Sequence, residues 1–172
     1  MVPVEAHLSL NHVPIVGLLF GLVFMLIGVR RNSVQAIRAA LQTFVVVGLI
    51  AAVTGISGLV AADILSTAQW LDANAVHAHE VAGITTVILI SGLASFALFV
   101  LFSLRRTPAI SRAVTMSLFA LALAGLGSAL WTAYLGGRIR HSELRGVARA
   151  DVAPRDALRL ASESSGTEVA LR

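Results

Sequence analysis

Five histidines are the side chains of this 172-residue sequence best suited to chemistry: His7, His12, His77, His79 and His141. Each offers a nitrogen that binds a metal or takes a proton near neutral pH. Cysteine is absent, which excludes disulfides, thiolate metal sites, iron–sulfur clusters and thioether-linked haem. Any metal or cofactor must therefore be held by His, carboxylate, Met, Tyr or backbone groups.

What positions these histidines is a set of four uncharged apolar segments, at 13–29, 39–62, 82–104 and 113–135. Each falls in the ~17–25 residues that cross a hydrocarbon core as a helix. The chain is 57% hydrophobic and only 13% charged, with a mean hydropathy of +0.86. A water-soluble domain carries about 25% charged residues. The expected fold is all-α: an integral membrane four-helix bundle, up-and-down, with both termini on one side. Residues 1–141 form the transmembrane domain, and 142–172, rich in Arg, Ala, Asp and Ser, read as a flexible tail with a short surface helix near 156–161.

Local signals set the boundaries. Pro14 suits the first turn of a helix, where a missing N–H costs nothing. Asp72 is a good N-cap for a helix starting at Ala73, and Pro108 breaks the chain between the third and fourth spans. The first span lacks a basic leader and a cleavage site, so it is expected to be retained. Gly17 and Gly21 form a GxxxG pair, which is better explained by packing within the bundle than by dimerisation.

All 13 basic residues are arginines. They flank apolar runs instead of alternating with aromatics, which argues for membrane topology and against nucleic acid. Arg30, Arg31 and Arg38 follow the first span and Arg105, Arg106 and Arg112 follow the third. Against these six stand Arg138, Arg140, Arg145 and Arg149 after the fourth. The balance favours both termini outside. Trp70, Trp131 and Tyr134 fall at the outer interface, where amphipathic rings settle. A bacterial inner membrane is the expected setting.

In such a topology all five histidines gather at one membrane face, with Glu5, Asp63, Asp72, Glu80 and Glu143. The other face has arginines and no carboxylate. The histidine face could hold a metal or haem, bind a quinone head or relay protons. His12, just before the first span, and His79, inside an early start of the third helix, are the pair best placed to ligate haem b. Arg138 and Arg140 would meet the propionates. For another metal the expected ligands are His12, His79, His141 and Glu80. His7 ranks last as a ligand, after His77.

The opening His7–Leu–Ser–Leu–Asn–His12–Val–Pro14 resembles a family of uncharacterised bacterial four-helix membrane proteins, which begin with His, four residues, His, one residue and Pro. The run Gly136–Gly137–Arg138–Ile–Arg140–His141–Ser–Glu143 is similar to one that follows their last span. The resemblance covers roughly residues 7–145. It implies the fold and an association with Rieske-type or cytochrome electron carriers. Many of those proteins carry an acidic cluster after a Thr–Gly; here Thr54–Gly55 is followed by Ile56, with Asp63 further on.

Three functions are compatible with these residues. The first is a membrane redox subunit holding haem b or another His-ligated metal, passing electrons between quinone and an outer carrier within a respiratory-type complex. The second is a cofactor-free accessory subunit of a larger complex. The third, small-solute or metal transport, ranks last because the spans carry no ionisable residue. No nucleophile–base–orienter set is evident, so an electron-transfer or accessory role is expected over an enzyme.

Overall fold

The computed structural model describes residues 2–65, 72–106 and 110–140. The chain divides into Met1–Ile139 and Arg140–Arg172. Beyond Arg140 the second unit lies outside the described residues, and with it the expected tail and its surface helix. Pro108 and Trp70 lie outside them too. The regular elements of the described chain are all helices: α1 (Val2–Leu10), α2 (Val13–Arg30), α3 (Val34–Leu65), α4 (Ala73–Ser103) and α5 (Arg112–Arg140). Its last four helices are long and apolar enough to cross a membrane.

The first span departs from expectation at its start. Pro14 does sit in the first turn of α2, but the chain before it is already helical. His12 keeps right-handed helical angles (φ −86°, ψ −21°), and the Asn11 N–H still reaches the His7 carbonyl at 3.0 Å. Proline deletes one backbone donor and pushes against the preceding turn, which breaks a helix here without ending the helical course. His7 therefore lies on a helix of its own, ahead of the span expected at 13–29.

The turn between α2 and α3 takes two residues, Asn32 and Ser33, beyond the Arg31 cap. Asn32 adopts φ 50°, a left-handed position that Asn tolerates better than most residues. The Ser33 N–H bonds the Gly28 carbonyl at 2.9 Å and the Asn32 N–H bonds Val29 at 3.4 Å, the paired bonds of a Schellman motif. Ser33 then caps α3, its hydroxyl accepting from Ala36 N–H at 3.3 Å. At the other end of the bundle the Asp72 side chain accepts from the N–H groups of Asn74 and Ala75 and starts α4, as its position predicts.

Close approaches define the topology. Gly17 packs on Val47 and Gly21 on Phe44, so α2 and α3 run antiparallel. Gly48 meets Ala94 and Gly55 meets Val87, which makes α3 and α4 antiparallel. Gly125 of α5 lies against both Ile90 of α4 and Leu18 of α2, closing an up-and-down bundle. The GxxxG pair thus serves packing within the bundle. Gly92, by contrast, faces outward with nothing within 4 Å of where a Cβ would stand.

Leu18, Met25, Leu41, Phe44, Ile90, Leu93 and Leu118 fill the core. The surface is as apolar as the core: Leu49, Ile56, Ile88 and Phe99 are each about two-thirds exposed. No aqueous surface sustains so continuous an apolar skin, whereas hydrocarbon tails solvate it. The chain is a multi-pass membrane protein. Trp131 and Tyr134 stand outward on α5 with ring centroids 5.4 Å apart.

Candidate functional site

The buried polar residues Thr54, Ser57 and Thr86 are all in the half of the bundle that holds the histidines. There α1, the end of α3, the start of α4 and the end of α5 converge, and two histidines meet. The rings of His7 and His79 have centroids 6.2 Å apart and planes inclined at 81°.

Each ring is held in the same way. His7 Nδ1 donates to the Thr54 carbonyl at 3.0 Å, and His79 Nδ1 donates to the Thr132 carbonyl at 2.9 Å. A carbonyl only accepts, so the proton must sit on Nδ1, and in the neutral ring Nε2 keeps its lone pair. Four residues beyond each threonine is a glycine. A Cβ on Gly58 would lie 2.8 Å from the His7 ring, and one on Gly136 would lie 2.9 Å from the His79 ring. Absence of a side chain is what lets each ring lie on its helix. Each threonine hydroxyl also turns back to its own helix, Thr54 to the Ile50 carbonyl at 2.8 Å and Thr132 to Ser128 at 2.9 Å. The site is thus a duplicated cradle: His7 on Thr54-x-x-x-Gly58 and His79 on Thr132-x-x-x-Gly136.

Beside the His79 cradle the Thr86 hydroxyl bonds Ser128 Oγ at 2.7 Å and Thr132 Oγ1 at 2.9 Å. These bonds join α4 to α5 below His79 and fix the carbonyl that orients its ring. Among the described residues, two buried polar atoms at this end find no partner, Arg138 Nε and Asn11 Oδ1. The Arg138 guanidinium lies 5.9 Å over the Tyr134 ring, half-buried.

Of the residues singled out from the sequence, His79 is in the site and His12 is exposed, without a capping bond from its side chain. His7 takes the place opposite His79. Five residues along a helix turn about 140°, so the side that presents His7 to α3 carries His12 away from it. Glu80 is half-buried, but as His79's neighbour it points about 100° around α4. His77 is exposed. Arg140 closes α5, and His141 is outside the described residues. Among the described residues no three His, Asp or Glu come together as a metal-binding group. The sequence held one signal for His7: the Thr-x-x-x-Gly pairs near the ends of two spans, each with a histidine about fifty residues before it.

The molecule is a four-helix membrane protein with a histidine pair suspended between helix-borne carbonyls. No protein-family model, curated protein or solved structure matches it.

Proposed function

We propose that the protein is a membrane redox subunit in which His7 and His79 would hold a b-type haem. The observation that carries this reading is the spacing of the two rings. Two imidazoles could hold one group between them only if their rings are brought close together and each is fixed in direction. The centroids here are 6.2 Å apart.

Three further features support it. Ligating histidines normally give the other ring N–H to a carbonyl or carboxylate, which fixes tautomer and direction; both rings do so. A free Zn²⁺ ion wants three or four protein ligands, more than the described residues assemble, whereas haem iron needs only two. The buried Arg138 Nε, without a partner among the described residues, would suit a propionate. When bound, haem would supply one-electron redox chemistry; the chain would orient the ligands, exclude water and stabilise the propionate charge. An outer-face position extends the same reading, resting on the arginine balance; exchange with quinone and residence in the inner membrane belong to the proposal alone.

The test is a reduced-minus-oxidised absorption spectrum of detergent-purified protein expressed with added haem precursor. A sharp α-band with one iron per chain is expected, lost in His7→Ala and His79→Ala and retained in His12→Ala. A flat wild-type spectrum would reject haem. A second reading then stands on the same bonds, because each His–carbonyl contact also clamps two helices and would serve a cofactor-free accessory subunit.

A further inference from the structure

We propose that the recess between the start of α3 and the end of α4 binds the phosphodiester headgroup of an anionic membrane phospholipid. It lies at the opposite end of the bundle from the histidines. Its volume is about 200 Å³, and it is lined by Arg38, Gln42, Leu98, Leu101, Phe102 and Arg105.

The two arginines are held in position. Arg38 donates one Nη2 bond to the Leu104 carbonyl at 3.2 Å, and the Arg105 guanidinium sits 5.0 Å over the Phe102 ring. A guanidinium has five N–H donors, so both keep donors for an anion, and Gln42 adds a neutral one a turn below Arg38. The sequence has no Asp or Glu from position 6 to 62 or from 81 to 142, so these stretches of α3 and α4 supply no carboxylate of their own. Six arginines gather at this end.

The order of residues along the helices selects the source of the anion. Leu98, Leu101 and Phe102 near the end of α4 and Arg105 in the turn just beyond it line the recess in that order, with the arginine outermost and the apolar residues toward the bilayer centre. Charge above and hydrocarbon below is the polarity of a phospholipid in its own leaflet. Soluble phosphate would use the arginines and leave Leu98, Leu101 and Phe102 without a role. Basic recesses between transmembrane helices are known sites for acidic lipid headgroups.

The experiment is a lipid titration of the full-length protein in detergent, read by native mass spectrometry, with phosphatidylglycerol and phosphatidylcholine as probes. Wild type should bind one phosphatidylglycerol in clear preference to phosphatidylcholine. Arg38→Gln/Arg105→Gln should weaken that binding roughly 25-fold, taking each basic residue as worth about fivefold. Arg30→Gln/Arg31→Gln, at the same end but outside the recess, should retain it. Phe102→Ala, which leaves both charges, should weaken it several-fold and covers the case in which the double variant fails to fold. Equal binding of the two lipids, an equal loss in the Arg30/Arg31 variant, displacement by millimolar inorganic phosphate, or a protein dimer occupying the recess would each overturn the proposal.

Discussion

His7 and His79 lie 72 positions apart in sequence, yet their ring centroids are 6.2 Å apart at 81°. Neither ring is placed by its own helix alone. Each is aimed by a carbonyl on a second helix and seated on a glycine of that helix, so four helical segments must be in register before the two rings can face one another. The pair depends on geometry as much as on the presence of two histidines.

The glycine seats should therefore be as necessary as the histidines. Gly58→Ala and Gly136→Ala put a methyl group within 2.9 Å of a ring, and a packed site resists such insertion at about 1–3 kcal/mol. Both variants should insert and remain helical while losing the haem α-band. Their circular dichroism and reduced spectra, measured on the same preparation, check this.

Glycines in the bundle should sort by what they face. Gly21→Val must displace Phe44, a fully buried ring, and should lower thermal stability in detergent by about 1–3 kcal/mol. Gly92→Ala and Gly127→Ala meet nothing within 4 Å and should stay within about 0.5 kcal/mol of wild type.

Thr86→Val keeps shape but removes the hydroxyl that joins Ser128 and Thr132. Interhelical hydrogen bonds in membranes average ~0.6 kcal/mol and reach about 1.7, so a loss of about 1 kcal/mol is expected. Because the Thr132 carbonyl orients His79, the spectrum of the variant should also shift or broaden. Unchanged unfolding and an unchanged spectrum would show the hydroxyl cluster to be idle.

The α2–α3 turn offers a test away from the site. Asn32→Gly should be tolerated, while Asn32→Val, forced to φ 50° with a β-branched side chain, should cost about 1–2 kcal/mol. Melting curves of the two variants in one detergent decide it.

Apolar length alone made the four spans legible in the sequence, because a helix in hydrocarbon must satisfy its own backbone and repel charge. Asp72 and Pro14 were legible for similarly local reasons. The gathering of one end of each helix also followed from alternation of direction. The partner of His79 did not. Pro14 looked like a beginning because proline is favoured there, and only the tertiary contact of α1 with α3 shows the helix continuing through His7. Thr54 stood out only as half of a Thr–Gly pair, since its part in the site is played by its carbonyl, a group every residue has.

The hydrogen bonds that aim the two rings span 47 and 53 residues. His7 leaves the ribosome before the rest of the site, whereas Gly136, the seat of its counterpart, comes near the end of the last span. Nothing made before then can complete the pair. During synthesis the site is consequently the last part of the bundle to close, and any cofactor must be loaded after the fourth helix has entered the bilayer. A chain truncated within that helix would expose an open, incomplete cradle to the machinery that inspects newly made membrane proteins.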